Sequence, residues 1–317
     1  MASTHGAEPR HSGADRARPD SPAPARLGAL VPPRSLGERG VVLLSILAAA
    51  VLAWFVLDAH LAGLVPQTGG LSIVRGFFGH AFHPAFTYEG EVPEGTAPIL
   101  WVALNAARRT VVFAAAGMSL ALVLGVVLGF LGSSAWWSGD LAGGASPARR
   151  FFGRFLGPGV WITARTLIVG MRSVHELLWA VLFLAAFGLN TFGAVVAIAI
   201  PYGGTLAKIF SEMIDEAPRD SGDALREIGA TPLAAFLFGR VPRALPDMCA
   251  YSFYRFECAV RSSAVLGFFG FPTLGYSLAQ AFENLHYAEV WTYLYALIAL
   301  VVLIELWSGA VRRRFVA

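Results

Sequence analysis

Charge is scarce in this chain. Of its 317 residues, 14% are Asp, Glu, Lys or Arg, against 56% that are hydrophobic. A soluble domain of this size needs far more polar surface, so that class is excluded. Lysine is scarcer still: Lys208, in Leu206-Ala207-Lys208-Ile209-Phe210, is the single one. A phosphate-cradling loop needs a lysine beside Ser or Thr after a glycine-rich turn. No such loop exists here, and if ATP drives this protein another chain holds the nucleotide. Lys208 itself is expected to snorkel to the membrane surface. The two cysteines, Cys249 and Cys258, share one apolar segment and lie too close along a helix for a disulfide framework. They read as small core residues. No early apolar run precedes a small-residue cleavage site, so the first span is expected to remain. No convincing internal repeat is present, which weighs against a secondary transporter. Scattered histidines and lone carboxylates offer no nucleophile–base arrangement, which places a membrane-embedded enzyme last.

The apolar residues come in blocks of about twenty, the length that spans roughly 30 Å of hydrocarbon as helix. An all-α membrane protein follows, with about six transmembrane helices near 41–62, 110–132, 160–187, 190–210, 247–270 and 290–310. The third is long for one crossing, which points to a bend. Residues 1–38, rich in Ala, Pro, Ser, Gly and Arg, read as a disordered tail. The alternative, an organellar transit peptide, is opposed by Glu8, Asp15 and Asp20. The remaining boundaries are a first membrane helix at 39–65, an interfacial segment at 66–109, a membrane core at 110–311 and a basic C-terminus at 312–317.

Basic residues orient the spans. Arg10, Arg16, Arg18, Arg26, Arg34 and Arg39 precede the first; Arg149, Arg150 and Arg154 lie between the second and third. Arg219, Arg226, Arg240 and Arg243 lie between the fourth and fifth, and the chain ends with Arg312-Arg313-Arg314. Both termini are therefore expected in the cytoplasm. Arg108-Arg109, at the outer end of the second span, is the discordant feature. In the outer segment, Phe77, Phe78, Phe82 and Phe86 suggest an amphipathic stretch at the interface. His80 and His83 are spaced to share a helical face there, but two histidines without a third ligand favour packing over metal binding.

Residues 211–245 are too long for a turn and too polar to cross the membrane. Asp223 to Gly229 has the spacing of a short amphipathic helix, with Gly229 as its left-handed stop. Thr231 caps a second helix with Pro232 in its first position. Pro242 and Pro246 are expected to end that helix and return the chain to the membrane. The result is a bent pair of cytoplasmic helices able to transmit force to a partner; a plain surface helix-turn-helix is the alternative.

Asp223-Ala224-Leu225, with Gly229 four residues on and Pro242 beyond, resembles the coupling motif of ABC importer permeases, Glu-Ala-Ala, three residues, Gly, then a Leu-Pro. Ala230 belongs to the same bend. Met171-Arg172-Ser173-Val174-His175-Glu176-Leu177-Leu178-Trp179-Ala180 resembles a segment of phosphonate-type permeases. So does Tyr254-Arg255-Phe256-Glu257-Cys258-Ala259-Val260-Arg261-Ser262-Ser263-Ala264-Val265-Leu266-Gly267. The resemblance covers about 98–311 and implies a type I ABC importer permease in a bacterial inner membrane. It implies a homodimer, a two-copy ABC ATPase that carries ATP and Mg, and a periplasmic or lipid-anchored solute-binding protein. No cofactor, metal or nucleic acid is expected on this chain. Two departures stand out. His175 occupies a position where the family usually has proline, and the turn after span five is the bulky Gly270-Phe271-Pro272-Thr273-Leu274-Gly275.

Charges inside the spans give an independent line, since an ionisable residue at mid-bilayer costs about 2.5–3.5 kcal/mol and needs a partner or a wet cavity. Glu257 and Arg261 are spaced for an intrahelical pair, acid first. Arg255 is expected to point away from Glu257, towards another helix. Arg165, Arg172 and Glu176 are expected on one face of the third span. The excess of arginine suits an anion such as a phosphonate, phosphate-like or phosphite ion. The alternative is that these residues only lock helices together. A permease of the same architecture for an amino acid, betaine or metal is the nearest competing reading.

Overall fold

A computed structural model describes residues 37–58, 60, 63, 68–137 and 157–316. The described residues are helical, with no strand among them. The chain divides into two compact units, Met1–Thr68 and Gly69–Ala317. The first contains α1 (Glu38–Val56), whose apolar side chains from Val41 to Val56 are exposed.

The second unit runs through α2 (Gly70–Gly79), α3 (Ile99–Gly132), α4 (Ser134–Trp137), α5 (Gly157–Ser173), α6 (Glu176–Phe187) and α7 (Thr191–Glu216). It continues with α8 (Asp220–Glu227), α9 (Pro232–Ala235), a π-helical stretch Phe236–Arg240, α10 (Val241–Val265), α11 (Leu274–Glu283) and α12 (Tyr287–Val316). Among the described residues, α3, α7 and α12 are each long and apolar enough to cross a membrane, and α5 with α6 forms a bent fourth span. α10 has 25 residues, but Arg243, Asp247, Arg255, Glu257 and Arg261 make it far less apolar. Thus α1, α3, α5–α6, α7, α10 and α12 occupy the places of the six apolar blocks.

The centre of the second unit is the pairing of α3 with α7. Between helices in lipid there is little hydrophobic drive, so small residues that admit close van der Waals contact decide which helices pair. Gly117, Ala121, Gly125 and Gly129 repeat every four residues along α3. A Cβ on Gly117 would stand 2.8 Å from Ile198 Cγ2, one on Gly125 2.6 Å from Leu206 Cβ, and one on Gly129 3.0 Å from Phe210 Cβ. Each partner lies the same number of residues further along, so α3 and α7 run parallel and α5–α6 must run back between them. Gly204 seats the returning helix, since a Cβ there would lie 2.7 Å from Met171 Cβ.

The return is broken by 87° between Ser173 and Glu176. The bend forms with His175, not a proline, at the break. Its backbone is extended (φ −65°, ψ 146°) and its Nδ1 accepts the Leu177 N–H at 3.3 Å, capping α6. The break overturns the expectation that Arg165, Arg172 and Glu176 share a face, because helical spacing does not carry across two helices at nearly a right angle.

Three other expectations are corrected. The helix that carries the second span starts at Ile99 rather than 110, so Arg108 and Arg109 are part of α3. His80 and His83 do not share a helical face: α2 stops at Gly79, and His83 lies in the following turn, its N–H donating to the His80 carbonyl at 3.0 Å. Pro242 and Pro246 do not end a helix. Pro242 sits in the first turn of α10, and the Val241 N–H reaches back to Phe236 O in the π register, so the chain absorbs a proline without breaking. The turn before α11 is locked from inside. Leu274 N–H donates to Thr110 Oγ1 at 3.0 Å, Thr273 Oγ1 to Ala264 O at 3.1 Å, and Ser263 Oγ to Thr110 O at 2.8 Å.

Candidate functional site

A polar cluster joins three helices inside the second unit. Glu176 opens α6, where a carboxylate suits the positive end of the helix. Its Oε1 accepts from Ser262 Oγ of α10 at 2.8 Å. Ser262 has one hydroxyl proton and spends it on Glu176, so the Tyr202 hydroxyl of α7, 2.8 Å away, donates to Ser262. The Arg255 guanidinium of α10 lies over the Tyr202 ring, 4.7 Å from its centroid. Arg255 Nε is shielded from solvent and has no acceptor among the described residues. His175 Nε2 stands 3.5 Å from Glu176 Oε2. A cation with a shielded, spare N–H can take up a small anion.

The sequence-predicted residues divide. Glu176 and Arg255 belong to this cluster. Arg172, in the last turn of α5, and Arg261, on α10, are exposed on the surface of the single chain. Arg261 Nη2 approaches Cys258 Sγ at 3.7 Å and does not pair with Glu257. Glu257, buried on α10, instead takes Arg312 of α12 at 3.1 Å. The expected intrahelical pair yields because Glu257 turns inward and Arg261 outward. Arg165 lies elsewhere: its Nε donates to Gly132 O at 2.9 Å, its Nη2 is 3.7 Å from Asp215 Oδ2, and its guanidinium lies 5.4 Å from the Trp161 ring.

Sequence reasoning missed Tyr202, Ser262, Asp215 and Arg312. Asp215 clamps the chain leaving α3, accepting from Ser133 Oγ at 2.6 Å, Ser134 Oγ at 2.8 Å, Ser134 N–H at 3.0 Å and Ala135 N–H at 2.9 Å. The paired serines 133 and 134, facing an acid at the end of α7, were the available signal. Lys208 does not snorkel alone: its Nζ sits 2.7 Å from Glu212 one turn on.

At the same end stands a helical knob. Asp223, Ala224 and Leu225 lie on α8, with Asp223 and Ala224 exposed. Gly229 takes φ +91°, the left-handed conformation that glycine alone adopts without strain, and the Ala230 N–H returns to Leu225 O at 2.9 Å. Thr231 Oγ1 accepts the Ala234 N–H at 3.3 Å. The knob is braced at Gly239, where a Cβ would meet Gly222 Cα at 2.7 Å. Ile228 and Phe238 are left 81% and 75% exposed. Among the described residues, no group of three His, Cys, Asp or Glu side chains is placed to hold a metal.

Residues 96–316 match the family described as "Binding-protein-dependent transport system inner membrane component". The phosphite transport system permease protein PtxC of Stutzerimonas stutzeri is 29% identical over 206 residues, 65% of this chain and 68% of that protein. The phosphate-import permease protein PhnE of Mycolicibacterium smegmatis is 31% identical over 156 residues, 49% of this chain and 29% of that protein. A chain of the MetNI methionine ABC transporter, solved in inward-facing conformations, superposes with a TM-score of 0.56 at 19% identity, covering 71% of this chain and 99% of that one. The fold is that of type I ABC importer permeases.

Proposed function

The chain belongs to the family of binding-protein-dependent transport system inner membrane components, and from that premise we propose that it forms the membrane pathway of an importer for a small phosphorus oxyanion: a phosphonate, phosphite or phosphate. It is a multi-pass protein of the bacterial inner membrane and a transport subunit rather than an enzyme. The names of its relatives support the substrate class. The observation that carries it is Arg255, a cation inside the bundle, stacked on Tyr202, with a buried Nε–H that lacks an acceptor among the described residues. An oxyanion passing this point supplies the acceptor. Arg172 and Arg261, exposed in one chain, line the path when a second copy packs against it.

In this reading both termini and the α8–α9 knob face the cytoplasm, as the arginine distribution supports. A separate ATPase pair, carrying ATP and Mg, docks on the knob through Ile228 and Phe238 around Asp223, Ala224, Leu225, Gly229 and Ala230. Pro242, at the start of α10, passes the movement on, because the π stretch and α10 are one continuous rod. α10 carries both Arg255 and Ser262, so a tilt of this rod changes their alignment with Tyr202 and Glu176. A periplasmic or lipid-anchored binding protein delivers solute at the opposite end.

The test is uptake by proteoliposomes holding this chain, its ATPase and its binding protein. ATP-dependent uptake of phosphite, phosphate or methylphosphonate is expected, reduced about tenfold or more by Arg255→Gln, the scale of one lost charge-assisted hydrogen bond. Uptake of an amino acid in place of all three anions would sink the substrate class, and uptake without ATPase would sink the importer.

A further inference from the structure

Arg108 and Arg109, like Arg75 of α2, fall on the proposed outer side, against the usual bias of charge. They differ in circumstance. Arg108 Nη2 is tied to Asn105 Oδ1 at 3.2 Å. Arg109 is exposed, and among the described residues it has no hydrogen-bonded or ion-paired partner. It borders a cavity of about 370 Å³ between the first three turns of α3 and the first two turns of α11. α3, at 34 residues, is about 51 Å long and exceeds the roughly 30 Å hydrocarbon core. Arg109 lies about 15 Å from the start of α3, so the surplus length lets it stand at the interface.

The remaining polar lining of this cavity is donor-rich. Asn105, Tyr276, Ser277 and Gln280 share it with Arg109, and no Asp or Glu is among the lining residues. Local bonds leave donors available for a ligand. Asn105 Oδ1 is engaged by Arg108, so its NH₂ group remains. Gln280 Nε2 donates to the Tyr276 oxygen at 2.8 Å, so the Tyr276 O–H remains. The wall is held firmly, since a Cβ on Gly275 would collide with Ala264 O and one on Gly267 with Tyr276 N. Such a volume suits a small ligand.

Resting on the import reading above, we propose that this cavity is an outer receiving site for a phosphorus oxyanion, with Arg109 as its cation. It is separate from the Arg255 cluster, and takes the anion before that cluster does. The same chemistry is offered by a lipid phosphate, so the experiment must separate the two sources.

The assembled permease–ATPase complex, in phosphate-free maltoside micelles, is titrated calorimetrically with phosphite in the Arg255→Gln background, which removes the deeper cation. Phosphite binding is expected to persist there and to weaken about tenfold or more when Arg109→Gln or Ser277→Asp is added. Ser277→Asp leaves the guanidinium in place, so its effect reports on charge in the cavity rather than on folding at Arg109. Unchanged binding in both added variants overturns the site. Binding of dioleoyl phosphatidylglycerol with none of phosphite also overturns it. Phosphite binding lost with Arg109, in a transporter that imports no oxyanion, leaves the site standing and removes the import reading instead. Oxyanion import with binding indifferent to Arg109 removes the site alone.

Discussion

Arg312 and Glu257, 55 residues apart in sequence, meet at 3.1 Å between α12 and α10. The carboxylate is buried, and the arginine reaches it from the basic C-terminal turn. A buried charge that loses its partner is costly, whereas removal of both charges is close to neutral. Arg312→Gln is therefore expected to destabilise the protein by about 3 kcal/mol, and Glu257→Gln/Arg312→Gln by much less. Thermal unfolding in detergent measures both. Arg261→Gln is expected to melt like the parent chain; a loss as large as that of Arg312→Gln would restore the intrahelical pairing.

The close approach of α3 and α7 at Gly125 gives a packing prediction. A Cβ there falls 2.6 Å from Leu206 Cβ. Gly125→Val is expected to lower stability by about 1–3 kcal/mol, the range of overpacked sites. Gly159→Ala, where a Cβ meets nothing within 4 Å, is the control. Equal melting of the two variants would refute the parallel pairing.

His175 provides a substitution that should be harmless for a stated reason. Its φ of −65° is the angle proline fixes, and the bend is already there. His175→Pro is expected to retain uptake, while His175→Ala loses the cap at about 1 kcal/mol. Uptake by the proline variant, set beside melting of the alanine variant, checks both. Loss of uptake in His175→Pro alone would give the imidazole a role beyond capping.

At the knob, Gly229 holds φ +91°. A β-branched residue is strained there by roughly 1–2 kcal/mol, and the bend between α8 and α9 is expected to shift. Gly229→Val should insert in the membrane normally yet lose most ATP-driven uptake, with Gly229→Asn milder because asparagine tolerates the left-handed region. Normal uptake by Gly229→Val would argue against coupling through this bend.

Within the polar cluster, Tyr202→Phe removes the donor to Ser262 while keeping the ring under Arg255. A fall in uptake of a few-fold is expected, consistent with one neutral hydrogen bond of about 1 kcal/mol. Tyr202→Ala also removes the ring, and a larger loss is expected. Equal uptake by the parent and both variants would show the cluster to be only a helix lock.

The amino-acid order alone determined what depends on neighbours in the chain. Runs of apolar residues fix the crossings, because every buried backbone group must be bonded within its own helix. Gly229 followed by Thr231 fixes the knob, since a left-handed stop and a hydroxyl cap act within one turn. The lack of a lysine beside Ser or Thr after a glycine-rich turn excludes a phosphate loop. Spacing was silent on partners that meet across helices. It offered Arg261 to Glu257 and aligned Arg165 with Glu176, and both readings failed. A buried carboxylate takes whichever guanidinium packing delivers to its inward face, and an 87° break cancels helical phase. The tertiary structure therefore decided that Glu257 belongs to Arg312, that Arg165 belongs with Asp215, and that Arg255 rests on Tyr202. Burial sets the strength of each such contact, and burial exists only once the helices have assembled.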